Sequence, residues 1–129
     1  EVARFYYLLA TDRLVSPEAC DEMMDILADP AINHKFVAGL NGHRPGSKIF
    51  RKSGTWRTYH SDSAIVERDG RRYIAVAMAN HHSGGKWLSD LIVAMDDLVF
   101  SPENIAHDHM DNHNEPLDLP RKSVSANRS

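Results

Sequence analysis

No feature constrains this chain more than the Asp69-Gly70 pair set between two strand-like runs, Asp62 to Glu67 and Tyr73 to Ala79. A tight two-residue turn needs positive φ, which glycine accepts without steric cost, so Arg68-Asp69-Gly70-Arg71 predicts a β-hairpin. Lys48 to Thr55 adds a strand in front, and the stretch Ile49 to Ala79 reads as three short antiparallel strands in sequence. In the last of them Ile74, Val76 and Met78 share one face, while Tyr73, Ala75, Ala77 and Ala79 share the other. Three alanines on one face predict a helix packed close against it.

The flanking segments have helical rhythm. Val2 to Ala10 sets Val2, Phe5, Leu8 and Leu9 on one side. Ser16-Pro17-Glu18 begins a second helix: serine caps free amides, proline suits the first turn, and glutamate favours the positive helix end. Ala19, Met23, Ile26 and Leu27 form its expected buried stripe, with Met23 and Met24 as core filling, and Asp29-Pro30 ends it. Cys20 reads as a small buried hydrophobe. As the single cysteine it has no internal disulfide partner.

His34 to Leu40 is short and fits no single element, and Asn41 to Gly46 is a loop. Lys86 to Phe100 is the strongest helix, with Trp87, Leu88, Leu91, Ala94, Met95 and Leu98 as its apolar stripe. Ser101-Pro102 closes it. Residues 1–100 therefore form the expected folded unit and 101–129 a polar tail without a core of its own. The fold class is α+β: a three-stranded meander, a long C-terminal helix across one face, and two preceding helices. The first residues are already in helical rhythm without a cap, so a preceding part is expected. The apolar faces then await either a missing N-terminal half or self-association.

A net charge of −3 gives no basis for binding nucleic acid or an anionic membrane. No run approaches the roughly 20 apolar residues of a membrane span.

The chemistry centres on Lys52-Ser53-Gly54-Thr55. A strand lysine beside a hydroxyl can hold an anionic substrate group through charge-assisted hydrogen bonds. A glycine next to them lets a substrate approach the backbone. The Thr55 amide is then available to a developing oxyanion. The same residues also fit an ordinary edge strand with a lysine and a bulge glycine.

This K-[ST]-G strand, leading through a meander into a long amphipathic helix, resembles the closing part of the penicillin-recognising serine hydrolases, especially class A β-lactamases. Tyr59 to Val66 looks like their strand after K-T-G, and Arg4 to Leu9 with Arg13 to Glu18 look like the two helices before it. The resemblance implies a serine acyl-enzyme that opens a β-lactam or related amide, and a periplasmic or extracellular location. It makes Lys52 the source of positive potential and Ser53 the hydroxyl on the substrate carboxylate. Gly54 permits close approach, and the Thr55 N–H is one of two oxyanion donors. The small-molecule substrate, carrying a carboxylate, would lie along the strand like an added strand. No cofactor or metal is implied.

The departures are specific. Neither S-x-x-K nor S-D-N occurs before residue 52, and the acid that activates the deacylating water is missing there too. Where many class A enzymes carry a carboxylate-binding arginine this chain has Ser61, which leaves Arg57 and Arg44 as candidate substitutes. Ser83-Gly84-Gly85-Lys86 matches S-x-x-K but follows K-S-G in chain order; the expectation is a helix-capping Ser83 and a solvated Lys86. His107-Asp108-His109 and His113 have ligand-like chemistry in a polar tail, and His81-His82 lies in a loop. Two other functions suit the same strand: D-alanyl-D-alanine peptidase chemistry, and a non-catalytic module that binds a ligand or protein.

Overall fold

In a computed structural model, residues 1–111 are described. Helices α1 (Val2–Ala10), α2 (Pro17–Leu27) and α3 (Phe36–His43) precede strands β1 (Lys48–Trp56), β2 (Tyr59–Arg68) and β3 (Arg71–Asn80). Helices α4 (Gly84–Val99) and α5 (Pro102–Asp111) follow. The three strands form one antiparallel sheet in the order β1-β2-β3. The β2–β3 turn has φ of 51° at Asp69 and 74° at Gly70, the paired positive values of a type I′ turn.

The β1–β2 turn is a second tight hairpin, closed by Trp56 opposite Tyr59. Arg57 carries its positive φ of 55° in place of glycine, which is why composition gave no sign of it and β2 begins three residues ahead of the expected Asp62.

Alternation along the strands makes two cores. On one face Ile49, Ala64, Val66 and Ala75 meet Phe36, Val37 and Leu40 of α3 and Leu88 and Ile92 of α4. Ala77 and Ala79 also pack there, as the alanine face predicts. Helices α3 and α4 approach so closely that a Cβ on Gly39 would lie 2.3 Å from the Ser89 carbonyl oxygen. On the other face Phe50 and Ile65 meet Tyr6 and Leu9 of α1 and Cys20 of α2. Ser16 caps α2 as expected, its hydroxyl accepting from the Ala19 amide at 3.1 Å.

Three helix faces depart from the sequence reading. In α1 the buried pair is Tyr6 and Leu9, whereas Val2 and Phe5 stay exposed. Ile26 of α2 is exposed, and in α4 the buried line is Leu88, Ile92 and Asp96 while Trp87, Leu91 and Leu98 face outward. A hydrophobic stripe wider than one packing face leaves the choice of buried line to the partner surface. The ambiguous stretch supplies the first part of α3, which runs on through Asn41, Gly42 and His43 of the expected loop, so three helices precede the sheet and the loop is shorter than expected. Helix α5, Pro102–Asp111, falls within the stretch expected to be a polar tail.

Asp96, fully buried, accepts hydrogen bonds from Tyr73 Oη (3.0 Å), Arg44 Nε (3.1 Å) and Arg68 (2.5 Å). Burial first, and the Asp96 charge next, push the Tyr73 phenol well above its usual range.

Candidate functional site

β1 is an edge strand, and its outer backbone is what the site offers. In a two-residue hairpin the closing pair, Trp56 and Tyr59, is hydrogen-bonded. The alternation of an antiparallel ladder then turns the amides and carbonyls of Lys52 and Gly54 toward β2, and those of Ser53 and Thr55 toward the open edge. The register runs unbroken through Gly54 opposite Ser61, so there is no bulge. A Cβ on Gly54 would stand 2.9 Å from Ser61 Oγ, a contact that rotation of the serine side chain relieves, so the glycine keeps the strand surface open without being demanded by the backbone.

Lys52 is exposed and its ammonium donates to the Ser53 carbonyl at 3.0 Å. Its side chain shares the α1 face of the sheet with Ser61 and Ser63. An open cavity of about 530 Å³ lies there, with Lys52, Gly54 and Ser61 along the strands and Val2, Phe5 and Leu27 on the helices. Helix α1 is held to this floor by Tyr6, whose buried hydroxyl donates to the Ser63 carbonyl at 3.1 Å. Ser63 Oγ in turn donates to the Lys52 carbonyl at 2.9 Å. Burial raises the Tyr6 phenol above its ordinary value.

Beneath the opposite face lies a set of charges that the sequence did not disclose. Lys35 is 4% exposed, and its ammonium donates to Gly54 O (2.6 Å), Thr55 Oγ1 (2.9 Å) and Ser61 O (3.0 Å). All its donors are thereby used. Desolvation lowers the Lys35 pKa, opposed by the nearby Asp62 charge. Asp62 accepts two bonds from Arg51, from Nε and Nη2 (both 2.8 Å), and one from the Phe36 amide (3.1 Å). Arg51 also donates to His34 Nδ1 at 2.7 Å and to the Ile32 and His34 carbonyls. This network fixes the start of α3 to the strand that carries K-S-G. Lys35 escaped the sequence reading because a lysine ahead of an apolar run looks solvent-facing.

The two substitute arginines lie elsewhere. Arg44 is tied to Asp96 at 3.1 Å and to Asp97, at the Lys48 end of β1 and away from Gly54. Those carboxylates occupy its guanidinium, and the carboxylate-binding role expected of it is corrected. Arg57 is exposed in the β1–β2 turn, its guanidinium 5.5 Å from the Trp56 ring centroid.

Ser83 occupies the N-cap position of α4, but its hydroxyl caps no amide. Its backbone N–H donates instead to His81 Nδ1 at 3.0 Å, and the His81 ring stacks on Trp87 at 4.3 Å. Lys86 pairs with Asp90 (2.5 Å) and is exposed, as expected of a solvated lysine. Among the described residues no group of three or more His, Cys, Asp or Glu is arranged to hold a metal ion, and no helix is long and apolar enough to cross a membrane. His113 lies outside the described residues.

This architecture, with a cationic K-S-G edge strand in a helix-covered antiparallel sheet, is that of the β-lactamase-like serine hydrolases. A family model described as the beta-lactamase enzyme family (Beta-lactamase2) matches residues 1–99, and the chain belongs to that family. The solved structure of PBP-A has a similar fold, with a TM-score of 0.65 at 21% identity; the match covers 84% of this chain and 38% of PBP-A. The chain therefore spans well under half the length of that protein. No curated protein matches it.

Proposed function

We propose that this chain supplies the substrate-binding strand of a serine hydrolase that opens a β-lactam or a related amide through an acyl-serine. Lys52 provides positive potential for the substrate carboxylate, and the Ser53 hydroxyl hydrogen-bonds it. Gly54 keeps the backbone approachable. The outward Thr55 N–H stabilises the oxyanion that forms when the serine attacks the carbonyl. Arg57, two residues beyond Thr55, is the remaining candidate for a second cation on the carboxylate. The attacking serine belongs to another part of the protein, since no S-x-x-K precedes Lys52.

One observation carries this reading: an exposed lysine and the adjoining Ser53 and Gly54 of an open edge strand line a cavity of about 530 Å³, with the outward Thr55 amide next along the same strand. The test is covalent labelling of the full-length protein by a fluorescent penicillin, with this chain alone as the control. Labelling of the full-length protein but not of the isolated chain is expected. Failure of the full-length protein to label removes the hydrolase reading in favour of a binding module on the same edge. Release of D-alanine from a peptide ending in D-alanyl-D-alanine would identify the peptidase form of the chemistry. Labelling of the isolated chain at Ser83 would overturn the role given to that residue.

A further inference from the structure

The peptide between Gly54 and Thr55 has a charge on one end and the open edge on the other. Its carbonyl oxygen receives the Lys35 ammonium at 2.6 Å, the shortest of that group's bonds. Its N–H belongs to Thr55, which the strand register turns outward. A hydrogen bond to a carbonyl withdraws electron density from the amide and makes its N–H a better donor; a charged donor buried from water does so more strongly. We infer that Lys35 is a positioning residue for the oxyanion site, holding the Gly54–Thr55 peptide in place and polarising its N–H toward the developing negative charge. This rests on the hydrolase reading above.

Two further observations fit this role better than simple packing. Lys35 adopts φ 52° and ψ −123°, a backbone conformation costly for a residue with a Cβ, and it is held by the ammonium's three acceptors on β1 and β2. The ammonium also bonds Thr55 Oγ1, which fixes the orientation of the same residue that offers the amide. An apolar residue would fill the space but leave the Gly54 and Ser61 carbonyls without this donor. Lys35 is buried and its three donors are taken by β1 and β2, so its effect on the site passes through the Gly54–Thr55 peptide and Thr55.

The test uses the full-length protein and the rate of acylation by penicillin. Lys35→Met is expected to lower that rate about tenfold or more, with the Kd of the non-covalent complex nearly unchanged, because the lost interaction matures only as the oxyanion forms. Lys35→Arg, which keeps the charge, is expected to restore most of the rate. Thr55→Pro removes the N–H on an edge where proline is tolerated. In that background Lys35→Met should have little further effect on acylation, whereas independent contributions would multiply. An unchanged rate in Lys35→Met, or full additivity in the double variant, overturns the inference while leaving the hydrolase reading standing. A full-length protein that is not acylated at all overturns both.

If Lys35→Met does not fold, nuclear magnetic resonance of the wild-type protein decides. A through-hydrogen-bond coupling between Lys35 Nζ and the Gly54 carbonyl carbon, with a downfield move of the Thr55 amide proton on forming a boronic-acid adduct, is expected. Absence of either signature overturns the role.

Discussion

Arg51 grips Asp62 with two nearly parallel hydrogen bonds of 2.8 Å, both side chains lying almost entirely out of water. Asp62 spends its remaining capacity on the Phe36 amide and on its neighbour Ser63. The pair thus joins two strands to the first turn of α3, immediately behind the residue pair Lys52-Ser53.

Breaking this pair leaves a buried charge without its counterpart. Arg51→Met or Asp62→Leu alone should each destabilise the fold by about 3–5 kcal/mol, and the double replacement should cost less than either. Urea unfolding of the three variants checks this. A double variant as unstable as the sum of the singles would show that the two charges are not coupled.

Lys52→Ala should lower kcat/KM for anionic β-lactams by at least about 10²-fold in the full-length protein, with folding unaffected because the side chain is exposed. A neutral substrate analogue should lose far less. Equal losses for both would remove the carboxylate role.

His34 makes stability depend on pH in a defined direction. Its pKa is lowered from 6.5, by desolvation first and then by the Arg51 charge. Arginine can only donate, so the Nδ1 it meets must accept, and the ring is neutral. As pH falls through 6.5 the unfolded chain takes up this proton before the folded one does. The contribution is therefore complete above pH 6.5 and lost as pH drops through the lowered folded value. Denaturation midpoints between pH 7.5 and 5 should fall for the wild type and fall less for His34→Gln. Parallel curves would assign the acid sensitivity to other groups.

Gly39→Ala should cost about 1–3 kcal/mol, since the added methyl meets the Ser89 carbonyl oxygen at 2.3 Å and Ile92 Cγ2 at 2.7 Å. Backbone blocks one side of that contact and a fully buried core residue the other, so neither moves cheaply. Thermal unfolding measures it, and a melting temperature equal to the wild type would mean the two helices can separate.

Much of the fold is legible in the amino-acid sequence. The Asp69-Gly70 turn, the alanine face of β3 and the Ser16 cap follow from interactions within a few residues. The other hairpin was not, because Arg57 accepts a positive φ that composition assigns to glycine. Nor were the true buried lines of α1 and α4, where the surface opposite decided between Phe5 and Tyr6, or between Leu91 and Ile92. Of the site, the motif Lys52 to Thr55 was visible and the cation behind it was not.

The amino-acid order alone specified local geometry: where the strands alternate, where they turn, and which residue types stand on the edge. Those are short-range properties, set by backbone sterics and period-two patterning. Tertiary structure decided which distant groups meet. Lys35 finds its acceptors 19, 20 and 26 positions away, and Arg51 finds Asp62 across a strand pair. Such charges become specific only when folding strips their water and leaves a single set of partners within reach.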